Sequence, residues 1–279
     1  MKSVHIGLIS AMPQEIGNTL DFLTDVNIKE FGDLKIYHGF WQFQSIENVD
    51  FEISLAWSGW GKVSASRAAT RLISTPNNNR NVDFLLFTGV AGSTSIDLKQ
   101  WDLIVAKDLI QYDLDARPLF ERFVIPSLNK DKLSSSGKFQ KWILNTLKKE
   151  KSKGNLSNFG TVNEGLIGTG DSFISSFTKI KELKDCIPDL AAVEMEGAAV
   201  AQVAEQENIP WAVIRVISDN ANEAAPENFS EFLKSYEKNS SKIVRLLFEN
   251  FKEILFFYKI EFLRKTAIVF SLEWDGPFK

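Results

Sequence analysis

Val82-Asp83-Phe84-Leu85-Leu86-Phe87-Thr88-Gly89-Val90-Ala91-Gly92-Ser93 is the stretch that decides the fold. A short continuous apolar run, Val82–Phe87, opens into a glycine-rich segment, Thr88–Ser93. Such a run reads as a strand covered on both faces, followed by a loop. Two further runs match it, Val4–Ile9 and Trp211–Ile217. Shorter strand patterns lie at Leu103–Ala106, Gly165–Gly168 and Asp189–Met195. Between them stand segments of helical pattern: Pro13–Phe22, Lys62–Ser74, Phe139–Lys148, Ile174–Leu183, Glu196–Gln206, and a long one from Asn228 to about Phe251. Leu34–Trp41 and Phe51–Trp57 alternate and pair as antiparallel strands, with Gly59-Trp60-Gly61 as a turn after them. Strands alternating with helices give an α/β fold on a mostly parallel sheet with an antiparallel excursion. Gln111–Gly137 is irregular, and no segment has linker composition, so one domain is expected.

Composition narrows the chemistry. Among 279 residues there are two histidines, His5 and His38, and one cysteine, Cys186. A three-histidine zinc site within one chain is excluded, and so is a cysteine-rich structural zinc site. No internal disulfide can form, which is expected of a cytoplasmic protein. Both histidines sit in strand patterns, so acid–base work falls to carboxylates. With 32 Lys+Arg against 36 Asp+Glu, the net charge of −4 gives no electrostatic reason to expect a nucleic-acid partner. No stretch reaches ~18 uncharged apolar residues, so no transmembrane segment is expected. The short run after Met1-Lys2-Ser3 lacks a small-residue cleavage site and reads as a first strand, not a signal peptide.

The sequence brings acids to the ends of strands, where ligands sit in α/β sheets. Glu15 follows the first apolar run and Asp219 the last; Val193-Glu194-Met195-Glu196 places two more where a strand meets a helix. Taken singly, an acid after a strand is more often a helix cap; the four segments together, with the glycine segment among them, make a shared ligand site an equal reading. Glu196 shares a helical face with Ala199, Val200 and Val203, an inward face. A buried carboxylate there needs a partner: either ligand hydroxyls or Arg215, which lies in an apolar strand and also needs one. Glu194 reads as structural.

Six segments, in order, carry a resemblance. Ala11-Met12-Pro13-Gln14-Glu15, Ser58-Gly59-Trp60-Gly61-Lys62-Val63, Thr88-Gly89-Val90-Ala91-Gly92, Gly170-Asp171-Ser172-Phe173-Ile174, Val193-Glu194-Met195-Glu196 and Arg215-Val216-Ile217-Ser218-Asp219 resemble motifs of the 5′-methylthioadenosine/S-adenosylhomocysteine nucleosidases, in the nucleoside phosphorylase/nucleosidase superfamily. The resemblance implies a three-layer α/β/α domain over residues 1–251, with a central mixed β-sheet, nucleoside phosphorylase-like. It implies a homodimer that hydrolyses the adenine–ribose bond of a small-molecule nucleoside with no metal and no cofactor. By the same resemblance Asp219 is the acid at adenine N7 and Glu15 the base that activates water. Glu196 holds the ribose hydroxyls, Met195 packs on the sugar, Phe173 stacks on adenine, and Ile174 meets its edge. Ser218 orients Asp219, Ala91 and Gly92 admit the nucleoside, and Glu194 and Arg215 stand behind.

Two rivals remain at this stage. A phosphorylase needs an anion site, whereas Glu15 would repel phosphate and the glycine segment holds no arginine. A non-catalytic nucleoside-binding relative would not need all three acids. Three departures bear on the group at C5′, which is methylthio, homocysteinyl, plain deoxy or futalosine-type. Val90 stands where a serine is common, Trp60 replaces a smaller aliphatic residue, and Gln111–Phe120 diverges, with Arg117 facing either a charged group or solvent. Residues 252–279 form a C-terminal extension with no counterpart, expected to pack on the same protein or a dimer partner.

Overall fold

The computed structural model describes residues 3–42, 50–77, 81–135, 137–221 and 225–252, and the extension expected at 252–279 therefore lies, but for its first residue, outside the described residues. Among the described residues ten strands form one mixed sheet. They are β1 (Ser3–Ser10), β2 (Leu23–Phe31), β3 (Leu34–Trp41), β4 (Asp50–Trp57), β5 (Phe84–Ser93), β6 (Leu103–Gln111), β7 (Lys132–Ser134), β8 (Val162–Thr169), β9 (Leu190–Glu194) and β10 (Trp211–Asp219). The helices are α1 (Lys62–Ser74), α2 (Gly137–Ser152), α3 (Phe177–Cys186), α4 (Gly197–Gln206) and α5 (Ala225–Glu249). The order is β10-β6-β8-β9-β5-β1-β4-β3-β2, and β10 also pairs with β5, so five strands close on themselves.

The three long apolar runs become adjacent parallel strands, β1 and β10 on either side of β5. Each face of the sheet has its own core. Helices α1 and α4 pack together on one face, where Ala65, Ala68, Ala69, Ala198 and Ala201 let their backbones come close. Helices α2 and α5 cover the other, where Phe139, Tyr236, Phe248 and Phe251 fill larger gaps. Full burial of one such aliphatic or aromatic side chain stabilises by about 1.5–3 kcal/mol. No helix among the described residues is long and apolar enough to cross a membrane.

Three expectations are corrected. Thr88–Ser93 is not a loop but the second half of β5, because β10 pairs with it from Leu85 to Gly92. Pro13–Phe22 is not one helix. It makes two 3-10 turns, Pro13–Glu15 and Thr19–Phe22, parted by Gly17 at φ +48°, and then a strand, β2, that was not anticipated. Glu196 is the residue before helix α4 rather than part of its face, since the chain turns there from β9 into the helix.

The opposite edge of β5 is interrupted. β1 pairs with it from Phe84 to Phe87, and β9 only at Gly92 and Ser93. Between them the edge of residues 88–91 has no strand partner, and a cleft opens there.

Candidate active site

Glu15 closes that gap. Its 3-10 turn brings the carboxylate back over β5, where Oε1 accepts the Val90 N–H at 3.0 Å. Oε2 accepts the N–H groups of Ala11 at 2.7 Å and Met12 at 2.9 Å. The amides satisfy most of the carboxylate's acceptor sites, yet burial dominates and raises its pKa, with Arg215 and the three amides pulling the other way.

Asp219 ends β10. Ser218 Oγ donates to Oδ2 at 2.6 Å and the Ala221 N–H to Oδ1 at 2.7 Å. Burial raises this group as well, more than those two donors lower it. Ser218 also approaches the Ala91 carbonyl at 3.3 Å, which ties the acid to β5. A buried acid held toward its protonated form is suited to donate a proton at neutral pH.

Glu196 accepts the Gly61 N–H at 2.8 Å through Oε1. Burial and the charge of Glu194 push its pKa up, while Gly61 and Arg215 pull it down. Arg215 does not pair with Glu196; its Nη2 lies 2.5 Å from Glu194 Oε2, and both side chains are almost fully buried. Strand geometry explains the choice: Glu194 is the last residue of β9 and points to Arg215, whereas Glu196 lies past the strand's end. Glu194 is satisfied further by the Gly197 N–H, the Glu196 N–H and the Thr169 hydroxyl. The Arg215 guanidinium lies 4.0 Å from the centroid of the Phe87 ring.

These groups line one cleft of roughly 560 Å³ of atom-free space, part of it open to solvent. It contains every site residue expected from the sequence except Arg215, which sits behind Glu194. Ala91, Gly92 and Ser218 line it beside Asp219, and Phe173, Ile174 and Met195 line it as well. Ile174 is buried, Met195 partly so, and Phe173 is 42% exposed. Sequence reasoning missed Phe229, at the start of α5, whose ring lies 5.7 Å from Phe173 and 6.4 Å from Trp60. It also missed the Ala11 and Met12 amides, which carry no side-chain signal. Val90, noted as a departure, contributes its N–H to Glu15 and its side chain to the core.

A polar ring fixes the mouth. The Lys62 N–H donates to Asp171 Oδ1, the Asp171 N–H to Asp113 Oδ2, and Lys62 Nζ pairs with Asp113 Oδ1 at 2.7 Å. It ties the Gly59-Trp60-Gly61 turn to the Phe173 segment and to the end of β6. Arg117 is exposed and bound to Asp115, away from the cleft. Both histidines are fully buried in the sheet, each within 2.6 Å of Ser54 Oγ. Among the described residues no group of three or more His, Cys, Asp and Glu side chains is placed to hold a metal ion.

Residues 5–249 match the family model of the phosphorylase superfamily. A 5′-methylthioadenosine/S-adenosylhomocysteine nucleosidase of Haemophilus ducreyi is 33% identical over 251 residues, which is 89% of this chain and 99% of the relative. Among solved structures, the nucleosidase of the same name from Neisseria meningitidis, in complex with methylthio-immucillin-A, superposes with a TM-score of 0.77 at 29% identity over 90% of this chain and 100% of that one. Futalosine hydrolase of Helicobacter pylori superposes with a TM-score of 0.74 at 31% identity, over 88% of this chain and 98% of that one. With its fold, the order of its motifs and almost its whole length shared in this way, the chain belongs to the 5′-methylthioadenosine/S-adenosylhomocysteine nucleosidase family of the phosphorylase superfamily.

Proposed function

We propose that this chain is an N-glycosyl hydrolase that cleaves 5′-substituted adenosines into adenine and the ribose derivative. The observation that carries the reading is the convergence of Glu15, Glu196 and Asp219 on one cleft, with Glu15 and Asp219 both buried and both pushed toward protonation. Asp219, protonated, gives its proton to adenine N7. The C1′–N9 bond breaks, its electron pair leaves with the base, and charge develops on the sugar. Water adds to C1′ and loses a proton to Glu15. Adenine leaves neutral, and one water is consumed. The division into an acid and a base follows the logic of paired carboxylates in glycoside cleavage. Glu196 binds the ribose hydroxyls, Met195 packs on the sugar, and Phe173 and Ile174 hold the base.

Every charged side chain among the described residues that line the cleft is acidic. That supports water over phosphate as the acceptor. The opposite charge would be needed to hold a phosphate dianion. We place the enzyme in the cytoplasm as a homodimer, a state supported by exposed apolar side chains such as Val63 and Leu119, which are more than four-fifths exposed. Residues 1–251 form the single catalytic domain.

The test is adenine release with and without phosphate, together with Asp219→Asn and Glu15→Gln. Both variants are expected to fold, to bind nucleoside and to lose at least about 10²-fold in turnover, the scale of one acid–base group. Phosphate-dependent release, or near-normal turnover in Asp219→Asn, would overturn the reading.

A further inference from the structure

Tyr236 puts a hydroxyl where a core has no use for one. It lies on α5, fully buried, with its ring 5.4 Å from Phe232, nearly parallel to it, and 6.3 Å from Trp101. One turn further along the same helix face, Ser240 Oγ donates to the Gln14 carbonyl at 2.9 Å, and the Glu237 carbonyl lies against Gly17. α5 is therefore docked on the turn that carries Glu15, and Tyr236 stands on the docked face. Thr88 approaches from the sheet. Phe84, Leu86 and Val90 of β5 belong to the core under α2 and α5, and by strand alternation Thr88 points the same way. Both hydroxyls are buried, and neither has a hydrogen-bond partner among the described residues. An unmatched buried hydroxyl costs stability, so two of them beside a reacting carboxylate call for a role.

Burial first, and the charge of Glu15 second, keep the Tyr236 phenol protonated, while Thr88 and Arg215 pull the other way. An O–H is thus present at neutral pH, within reach of the Glu15 charge. The two hydroxyls influence each other but stop short of a hydrogen bond, so neither proton is committed to the other. Resting on the hydrolysis reading above, we propose that Tyr236 is a positioning residue for Glu15: its hydroxyl and that of Thr88 form a pair of dipoles behind the carboxylate that turns toward it on ionisation and steadies the base in its charged form. The other charged groups that face Glu15 are Arg215 on β10 and Glu196 at the start of α4; the Thr88–Ser93 half of β5 brings none. Arg215 is committed to Glu194 at 2.5 Å, and Glu196 is itself an acid, so the further support for an ionised Glu15 has to come from neutral donors.

The experiment has two readouts on the full chain, Tyr236→Phe, Thr88→Val and Thr88→Ser. One is the acidic limb of the kcat/KM profile against pH, by adenine release. The other is the titration of the Glu15 carboxyl by carbon-13 NMR, its signal assigned by its loss in Glu15→Gln. In Tyr236→Phe and Thr88→Val the titration and the limb are expected to move up together by about one pH unit, so the rate below the limb falls about tenfold. KM at alkaline pH is expected to stay as in the parent, and the melting temperature not to fall. Thr88→Ser keeps a hydroxyl and is expected to return most of the shift. A hydroxyl that only fills space gives another pattern: Tyr236→Phe at least as stable as the parent, with the Glu15 titration unmoved. That result, or a loss of rate equal at every pH, would overturn the proposal. If the titration moves but the parent releases no adenine, or the limb does not follow, the action on Glu15 stands and it is the hydrolysis reading, or the place of Glu15 in it, that fails.

Discussion

Gly89→Ala is a one-carbon change that tests whether the placement of Glu15 sets the rate. Gly89 has an ordinary strand conformation, so alanine is free of backbone strain there, and only space is at issue. A Cβ at this position would lie 2.5 Å from Glu15 Oε1, 3.0 Å from its Cδ and 3.3 Å from Arg215 Nη1. Ordinary contact begins near 3.4 Å, so the carboxylate must retreat by roughly 1 Å. It is held by three N–H groups, and the one from Val90 lies beside the new methyl, so that bond is lost first. Loss of a hydrogen bond to a charged group together with overpacking costs about 2–4 kcal/mol of stability. A shift of that size in a reacting group costs about 10²-fold in rate.

The assay is adenine release for kcat and KM, with thermal unfolding on the same samples. The variant is expected to be folded, to unfold several degrees lower and to lose about 10²-fold in kcat, with KM little changed because Glu196 is untouched. Gly92→Ala provides the comparison: its Cβ would meet Ala221 Cβ at 2.9 Å and Asp219 Oδ1 at 3.1 Å, a smaller displacement of the other acid. A folded Gly89→Ala protein with kcat within threefold of the parent would refute the reasoning. It would mean either that Glu15 tolerates the shift or that it is not the base.

Arg215→Met leaves the buried Glu194 charge unpaired and is expected to destabilise by about 3–5 kcal/mol, whereas adding Glu194→Gln to it should recover much of the loss; denaturant titration of the three proteins reads this out. His38 is held down to about 4, first by burial and then by the charges of Lys29 and His5. The folded protein therefore favours the neutral ring. Its contribution is fully present above pH 6.5 and is lost as pH falls through 4, to the extent of about 3 kcal/mol. The parent minus His38→Asn difference in stability should follow that course, and a flat difference between pH 7 and 4 would count against it. Asp171→Ala opens the polar ring at the mouth and is expected to raise KM several-fold with little change in melting temperature; unchanged KM would show that the ring does not order the cleft.

How much of this was legible in the sequence depends on whether a signal was local. The three long apolar runs are buried on both faces, so their composition alone marked β1, β5 and β10. Acids at strand ends were legible because carboxylates need a reason to follow a buried strand. β2 was missed because eight of its nine residues are not buried; an edge strand carries little apolar pattern. The glycine-rich half of β5 was misread because glycine signals a loop, while pairing with β10 is a tertiary fact. The partner of Arg215 was open for a similar reason. Glu194 and Glu196 are two residues apart and would share a face if the strand ran through both, so only the point at which β9 ends tells them apart.

The site itself comes from a defect in the sheet. Wherever β1 or β9 pairs with β5, backbone groups satisfy each other and nothing else can approach. Over residues 88–91 that edge has no strand partner, and the freed Val90 N–H is taken by a side chain, Glu15. The carboxylate thus does there what a strand does elsewhere, and it is buried for the same reason a strand would be. Burial is also what raises its proton affinity, so the position that completes the sheet is the position suited to accept a proton from water. The two-histidine, one-cysteine composition is consistent with this, since an acid placed in a sheet gap acquires its altered pKa from the fold alone. Gly89 is then required by the same geometry, because any Cβ on it would occupy the space that the carboxylate fills.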